Sequence, residues 1–149
     1  MEDTELVKEF CTACENGDTE RLERILADGY RFHHRADDRR AGKREFIQMI
    51  TRLKRAVPDL RFDVREIRPG EPVRGKVRLS GSHKNTLDLS TIGGPRVEST
   101  GRRFELPEEP GEWRIKNGLI QEHKVENVPG GGLAGILDQL GAKVPAQRP

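Results

Sequence analysis

Glu122, Lys124 and Glu126 alternate along a short stretch, Leu119–Val128, that follows an Asn117-Gly118 turn. In an extended strand successive side chains point to opposite faces. Strict alternation puts Ile120, Glu122, Lys124, Glu126 and Val128 on one face. Leu119, Gln121, His123, Val125 and Asn127 take the other. The strand of a core hairpin buries one face, and here either face carries ionisable groups inward. A buried carboxylate needs a partner, or its pKa rises. Glu122 and Glu126 flanking Lys124 bring their own counter-charge. Two readings stay open: a solvated charge ladder, or an acid–base cluster lining a pocket. In the second, Glu122 or Glu126 is the acid/base, and loss of either to Gln is expected to abolish turnover. A carboxyl of raised pKa beside a carbonyl is the group that enolisation needs.

Two histidines end strand-like runs. His34 continues the parity of Tyr30 and Phe32 and points inward with them, while His33 points out. His83 shares parity with Val77 and Leu79. At the mouth of one pocket the pair could orient a ligand oxygen or shuttle a proton; each could equally be a satisfied core residue. Glu122, Glu126, His83 and His34 are therefore the catalytic candidates. Tyr30, Phe32, Phe46, Trp113 and Lys124 are the candidate substrate-binding residues. Arg61-Phe62-Asp63 alternates with apolar neighbours, so Arg61 and Asp63 are expected to face solvent. No His-x-His or His-x-x-x-His pair supports a metal site. Cys11 and Cys14 sit within a helical pattern with no second ligand pair, which reads as buried structural thiols.

The elements that must position these residues follow from period. Leu6, Val7, Phe10, Cys11 and Cys14 mark one face of a helix that ends at Asn16-Gly17. Asp18 caps a second helix carrying Leu22, Ile25 and Leu26, stopped by Asp28-Gly29. The strand Tyr30–His34 comes next, then a polar loop to Gly42. A third helix bears Phe46, Ile47, Met49, Ile50 and Leu53 and closes at Pro58. The period then changes to two, through Leu60–Arg65 and Val73–His83. Lys84–Pro95 reads as a polar loop, and Val97–Leu106 as an interrupted strand. Trp113 and Ile115 lead into the hairpin turn. Pro129-Gly130-Gly131-Gly132 is a hinge before a last short helix with Leu133, Ile136, Leu137 and Leu140. Helices segregated from an antiparallel sheet define an α+β class. One domain is expected over residues 1–144, with a loose tail over 145–149.

Composition narrows the function. Charged residues make up 35% of the 149, yet the net charge is only +2 and both signs are interspersed. That leaves no electrostatic footprint for nucleic acid. No apolar run reaches the ~20 residues of a bilayer span. Met1–Glu5 is acidic and lacks a signal-peptide core, so a cytoplasmic protein is expected. No P-loop, nucleophile elbow or dinucleotide fingerprint is present.

Five stretches then resemble the SnoaL-like polyketide cyclases, within the nuclear transport factor 2-like superfamily. They are Leu26-Ala27-Asp28-Gly29-Tyr30-Arg31-Phe32-His33-His34; Gly42-Lys43-Arg44-Glu45-Phe46 with Val57-Pro58-Asp59-Leu60; Leu79-Ser80-Gly81-Ser82-His83; Thr100-Gly101-Arg102; and Asn117–His123 with Gln139-Leu140-Gly141-Ala142. Lys124 stands where the family usually has tryptophan, and Glu126-Asn127 near its acid–base aspartate. The resemblance implies a cone-shaped curved sheet with helices enclosing a pocket, and a homodimer. It implies a cofactor-free enzyme of secondary metabolism acting on a hydrophobic, polyketide-like carbonyl substrate. The step would be proton abstraction beside a carbonyl, then ring closure or a double-bond shift. The alternatives within the superfamily are an epoxide hydrolase or epoxide-opening cyclase, and a small-ligand-binding module without catalysis. The epoxide reading expects a carboxylate pair around one pocket water. The binding module expects a pocket in which Glu122, Lys124 and Glu126 form closed salt bridges, with no free acid–base group.

Overall fold

The computed structural model describes residues 1–35 and 39–142. The tail expected over 145–149 and the centre of the Arg35–Arg44 run lie outside them. Helix α1 (Asp3–Asn16) buries Leu6, Val7, Phe10, Cys11, Ala13 and Cys14. It ends at Gly17, whose φ of 63° is the left-handed conformation glycine adopts without penalty. Helix α2 (Thr19–Ile25) is capped as expected: Asp18 Oδ1 accepts from the Arg21 N–H at 3.1 Å. It stops at Ile25, earlier than Asp28-Gly29 suggests, because Leu26 is already extended and begins strand β1 (Leu26–His34). Helix α3 (Lys43–Ala56) buries Phe46, Ile47, Ile50, Leu53 and Ala56.

The sheet runs β2 (Arg39–Gly42), β1, β9 (Leu119–Val125), β8 (Glu109–Lys116), β4 (Val73–Ser82), β3 (Arg61–Arg68), with β7 (Arg103–Glu105) also on β4. It curls into a half-barrel, and the N-terminal helices cover its inner side. All pairs are antiparallel except β1 with β9, which the chain brings side by side from opposite ends of its length. The β8–β9 hairpin turns at Asn117 and Gly118 with φ of 54° and 74°, the positive values a two-residue turn requires.

Two segments read as loops are built otherwise. Arg39–Gly42 is the edge strand β2, because Arg31–His34 offer it a backbone edge whatever its polarity. Lys84–Pro95 folds inward. Strands β5 (Leu87–Asp88) and β6 (Arg96–Val97) pair around a 3-10 turn, and Leu87 and Leu89 are fully buried. Helix α4 (Gly132–Gln139) packs Ile136 and Leu137 beside them. The apolar residues thus form two clusters. One lies under α1, α2 and α3, around Phe10, Phe32, Phe46 and Trp113. The other lies around Leu53, Leu87, Phe104, Leu106 and α4, and Phe62 and Leu79 touch both. A cavity occupies the seam between them. Among the described residues no helix is long and apolar enough to cross a membrane.

Candidate functional site

The cavity takes its walls from both clusters. Phe10, Phe32, Phe46, Met49, Ile50 and Phe62 line one end. Leu87, Leu89, Leu106, Leu133 and Ile136 line the other. Among the described residues, three ionisable side chains enter this apolar lining, and they are His34, Glu109 and His123.

His34 arrives as its parity requires. Tyr30, Phe32 and His34 are buried along β1 while Arg31 faces out. His34 Nε2 hydrogen-bonds Glu109 Oε2, and the pair is almost entirely withdrawn from solvent. Glu109 opens β8 and lies in the inner row with Gly111 and Trp113. Its carboxyl rests on bare backbone at the start of α4: a Cβ on Gly131 would sit 3.0 Å from Glu109 Oε2. The carboxyl thus meets the N-terminal end of α4 as well as His34.

His123 fills the space between β1 and β8. Its neighbours across the ladders are Phe32 on one side and Trp113 on the other. The ring stacks on Trp113 with centroids 4.6 Å apart and planes 11° from parallel. Phe10 meets it edge-on at 5.3 Å, and Phe32 tilts against it at 5.4 Å. Burial, with His34 nearby, pushes its pKa down to about 3, so the ring is neutral at ordinary pH. Both ring nitrogens are buried and neither has a hydrogen-bond partner.

The structure brings His34, Phe32 and Phe46 of the sequence candidates to the cavity, and leaves the others elsewhere. Glu122 and Lys124 lie on the outer side of the sheet, paired at 3.1 Å, with Arg114 also 3.7 Å from Glu122. Glu126 is half-exposed and pairs with Arg35 at 3.6 Å. The physical cause is a bulge. Ile115 pairs with Ile120 and Arg114 with Glu122, so Gln121 is an extra residue. Ile120, His123 and Val125 therefore face inward together, and strict alternation across Gln121 fails.

His83 is fully buried but outside the cavity lining. Its Nδ1 accepts from the Thr100 N–H at 3.2 Å and contacts Thr100 Oγ1 at 2.9 Å, which ties the end of β4 to the following loop. Burial lowers its pKa, partly offset by the Asn85 and Val97 carbonyls. Trp113 backs His123 rather than lining the cavity, and Tyr30 is buried beside the thiols, with its hydroxyl pKa raised by burial and then by Cys14 and Cys11. Both cysteines are free and buried, and Cys11 is pushed up to about 12, first by burial and then by Glu15. Such thiols are unreactive. Arg61 and Asp63 pair at 3.0 Å on the exposed side of β3, as their alternation suggests. Among the described residues no cluster of three or more His, Cys, Asp or Glu side chains could hold a metal.

Glu109 and His123 were not among the sequence candidates. The signal for Glu109 was its parity with Gly111 and Trp113, which Pro110 obscures. The signal for His123 was its odd parity with Val125, which gains meaning only once the bulge is known.

No curated protein matches the chain in sequence. Among solved structures it is similar to TsrD from Streptomyces laurentii, at 24% identity and TM-score 0.68, over 93% of this chain and 94% of that one. It is also similar to IdmH from Streptomyces antibioticus, for which a polyketide cyclase role has been proposed, at 21% identity and TM-score 0.67, over 93% and 97%. A protein of ketosteroid isomerase-like fold from Catenulispora acidiphila DSM 44928 matches at 15% identity and TM-score 0.67, over 96% of each chain. At these identities the likeness is one of fold. The family profile for the SnoaL-like polyketide cyclases, however, matches residues 5–127, and the chain belongs to that family.

Proposed function

We propose that the protein is a cyclase or isomerase of the acid–base type, acting on a neutral, polyketide-like carbonyl compound. The observation that carries this reading is the buried Glu109–His34 pair in an otherwise apolar cavity. Glu109 is the base that removes a proton from the carbon beside the carbonyl, and the electron pair of that C–H bond moves onto the carbonyl oxygen. In ring closure the resulting carbanion attacks a second carbonyl of the same molecule, a C–C bond forms, and the new alkoxide takes the proton back from Glu109. His34 holds the carboxyl in place through its Nε2. The apolar walls keep water away, which strengthens each electrostatic interaction inside.

The epoxide reading is less well supported. It needs two carboxylates around a pocket water, and among the described residues Glu109 is the one carboxylate in the lining. The binding-module reading expects a pocket in which Glu122, Lys124 and Glu126 close on one another; Glu122 pairs with Lys124 and Glu126 with Arg35, all outside the cavity, which holds Glu109 and His34 instead.

Exchange of the α-protons of 1-tetralone in D2O, followed by proton NMR, tests the proposal without the natural substrate. The expected result is catalysed exchange at C2 that saturates with ketone. Exchange at the buffer rate at every protein concentration contradicts it. In the same assay Glu122→Gln and Glu126→Gln are each expected to stay within about threefold of wild type, since exposed ion pairs contribute little. Loss of exchange in either variant returns the acid–base role to the outer face of the sheet.

A further inference from the structure

Buried polar atoms in folded proteins have partners almost without exception, so one that lacks a partner beside a cavity calls for an explanation. Among the described residues the Tyr30 hydroxyl, His83 Nε2 and Trp113 Nε1 are also buried without partners, but His123, 5% exposed, lacks them at both ring nitrogens and lines the cavity. Its ring is packed among three aromatic rings. Trp113 lies flat beneath it, and Phe10 and Phe32 hold its edges. The inner row of β8 reinforces the point. Gly111 stands between Glu109 and Trp113 without a side chain, and a Cβ there would come within 3.4 Å of His123 Nε2. At Gly111, β8 presents bare backbone to that nitrogen.

We propose that His123 is a hydrogen-bond donor for the substrate's carbonyl oxygen, and for the enolate that develops on it. This rests on the acid–base reading of the same cavity. When Glu109 takes the α-proton, the electron pair of the broken C–H bond comes to rest on the oxygen, and the His123 N–H donates to it without giving up its proton. A neutral imidazole suits this task. It adds no charge to an apolar cavity, and its own acidity lies closer to that of an enol than an imidazolium's does. The ligand class follows: a neutral, largely apolar ketone with one oxygen turned toward the Glu109–His34 end. His83 Nε2 and the Tyr30 hydroxyl also lack partners, but both residues lie outside the lining and cannot take this place.

The test compares binding of 1-tetralone with binding of tetralin, which has the same rings and no oxygen, by calorimetry on the full chain. Wild type is expected to prefer the ketone at least about tenfold. His123→Phe keeps the stack on Trp113 and removes the nitrogens, and is expected to cut that preference at least about fivefold. His123→Gln restores a donor and is expected to recover part of it. In 15N-labelled wild type, the His123 ring resonances are expected to shift with 1-tetralone and stay fixed with tetralin. This last measurement stands even where a variant does not fold. An unchanged preference in His123→Phe, no preference in wild type, or unmoved ring resonances overturn the proposal, as when a tightly held water fills the site. Ketone preference through His123 without C–H exchange refutes only the enzymatic reading. Exchange that depends on Glu109, with a ketone preference indifferent to His123, refutes only this inference.

Discussion

Glu109→Gln is expected to lower 1-tetralone exchange by about 10³-fold while the fold survives. The amide has nearly the shape of the carboxyl, and one of its polar atoms can still pair with His34 Nε2. What it lacks is an oxygen basic enough to accept a proton from carbon. A neutral amide is also easier to bury than a carboxylate, so loss of activity by unfolding is not expected. Circular dichroism and the urea midpoint separate the two causes. A variant that folds like wild type and exchanges like wild type removes Glu109 from the chemistry.

The second large effect concerns acid stability and needs no substrate. His123 carries a folded-state pKa near 3, against 6.5 for an unhindered histidine. A depressed histidine means that the unfolded chain binds the extra proton first. Stability is therefore full above about pH 6.5 and is lost as pH falls from there toward 3. Below pH 3 the folded ring protonates too and the loss levels off. Linkage makes the loss between pH 7 and pH 4 about 3 kcal/mol from this one group. Urea unfolding of wild type and His123→Phe at the two pH values isolates it, because Glu109, His34 and the surface carboxylates are common to both chains. The wild type is expected to lose about 3 kcal/mol more than the variant. At neutral pH the variant is expected to be the more stable, since it removes two buried nitrogens without partners. Equal slopes show that His123 meets water or a partner in the folded protein.

Much of this site could be read from the chain. Tyr30, Phe32 and His34 are buried in the alternation their spacing demands, and Phe46 faces the cavity from the helix its period marks. Those readings hold because a regular strand or helix carries its phase unbroken along its length. They fail where the phase slips. The extra residue Gln121 moves Glu122 and Lys124 outward and His123 inward, and no local residue type announces it. Proline interrupts a ladder donor, so Pro110 hides a strand that begins at Glu109. Leu87 and Leu89 lie in a segment too polar to read as core. They are buried because they pack with Leu53 of α3 and with Ile136 and Leu137 of α4. That is a demand of tertiary structure, not of local sequence. The same holds for Gly131, which matters only because Glu109 comes to rest against it.

A crystal structure of the 1-tetralone complex is the most direct test of the central claim that the cavity is an acid–base site. The expected result places C2 of the ketone within about 3.5 Å of a Glu109 oxygen, and its carbonyl oxygen about 3 Å from a His123 ring nitrogen. A ketone seated in the outer groove beside Glu122 and Lys124, or lying in the cavity with its oxygen turned away toward Leu89 and Leu133, would contradict it.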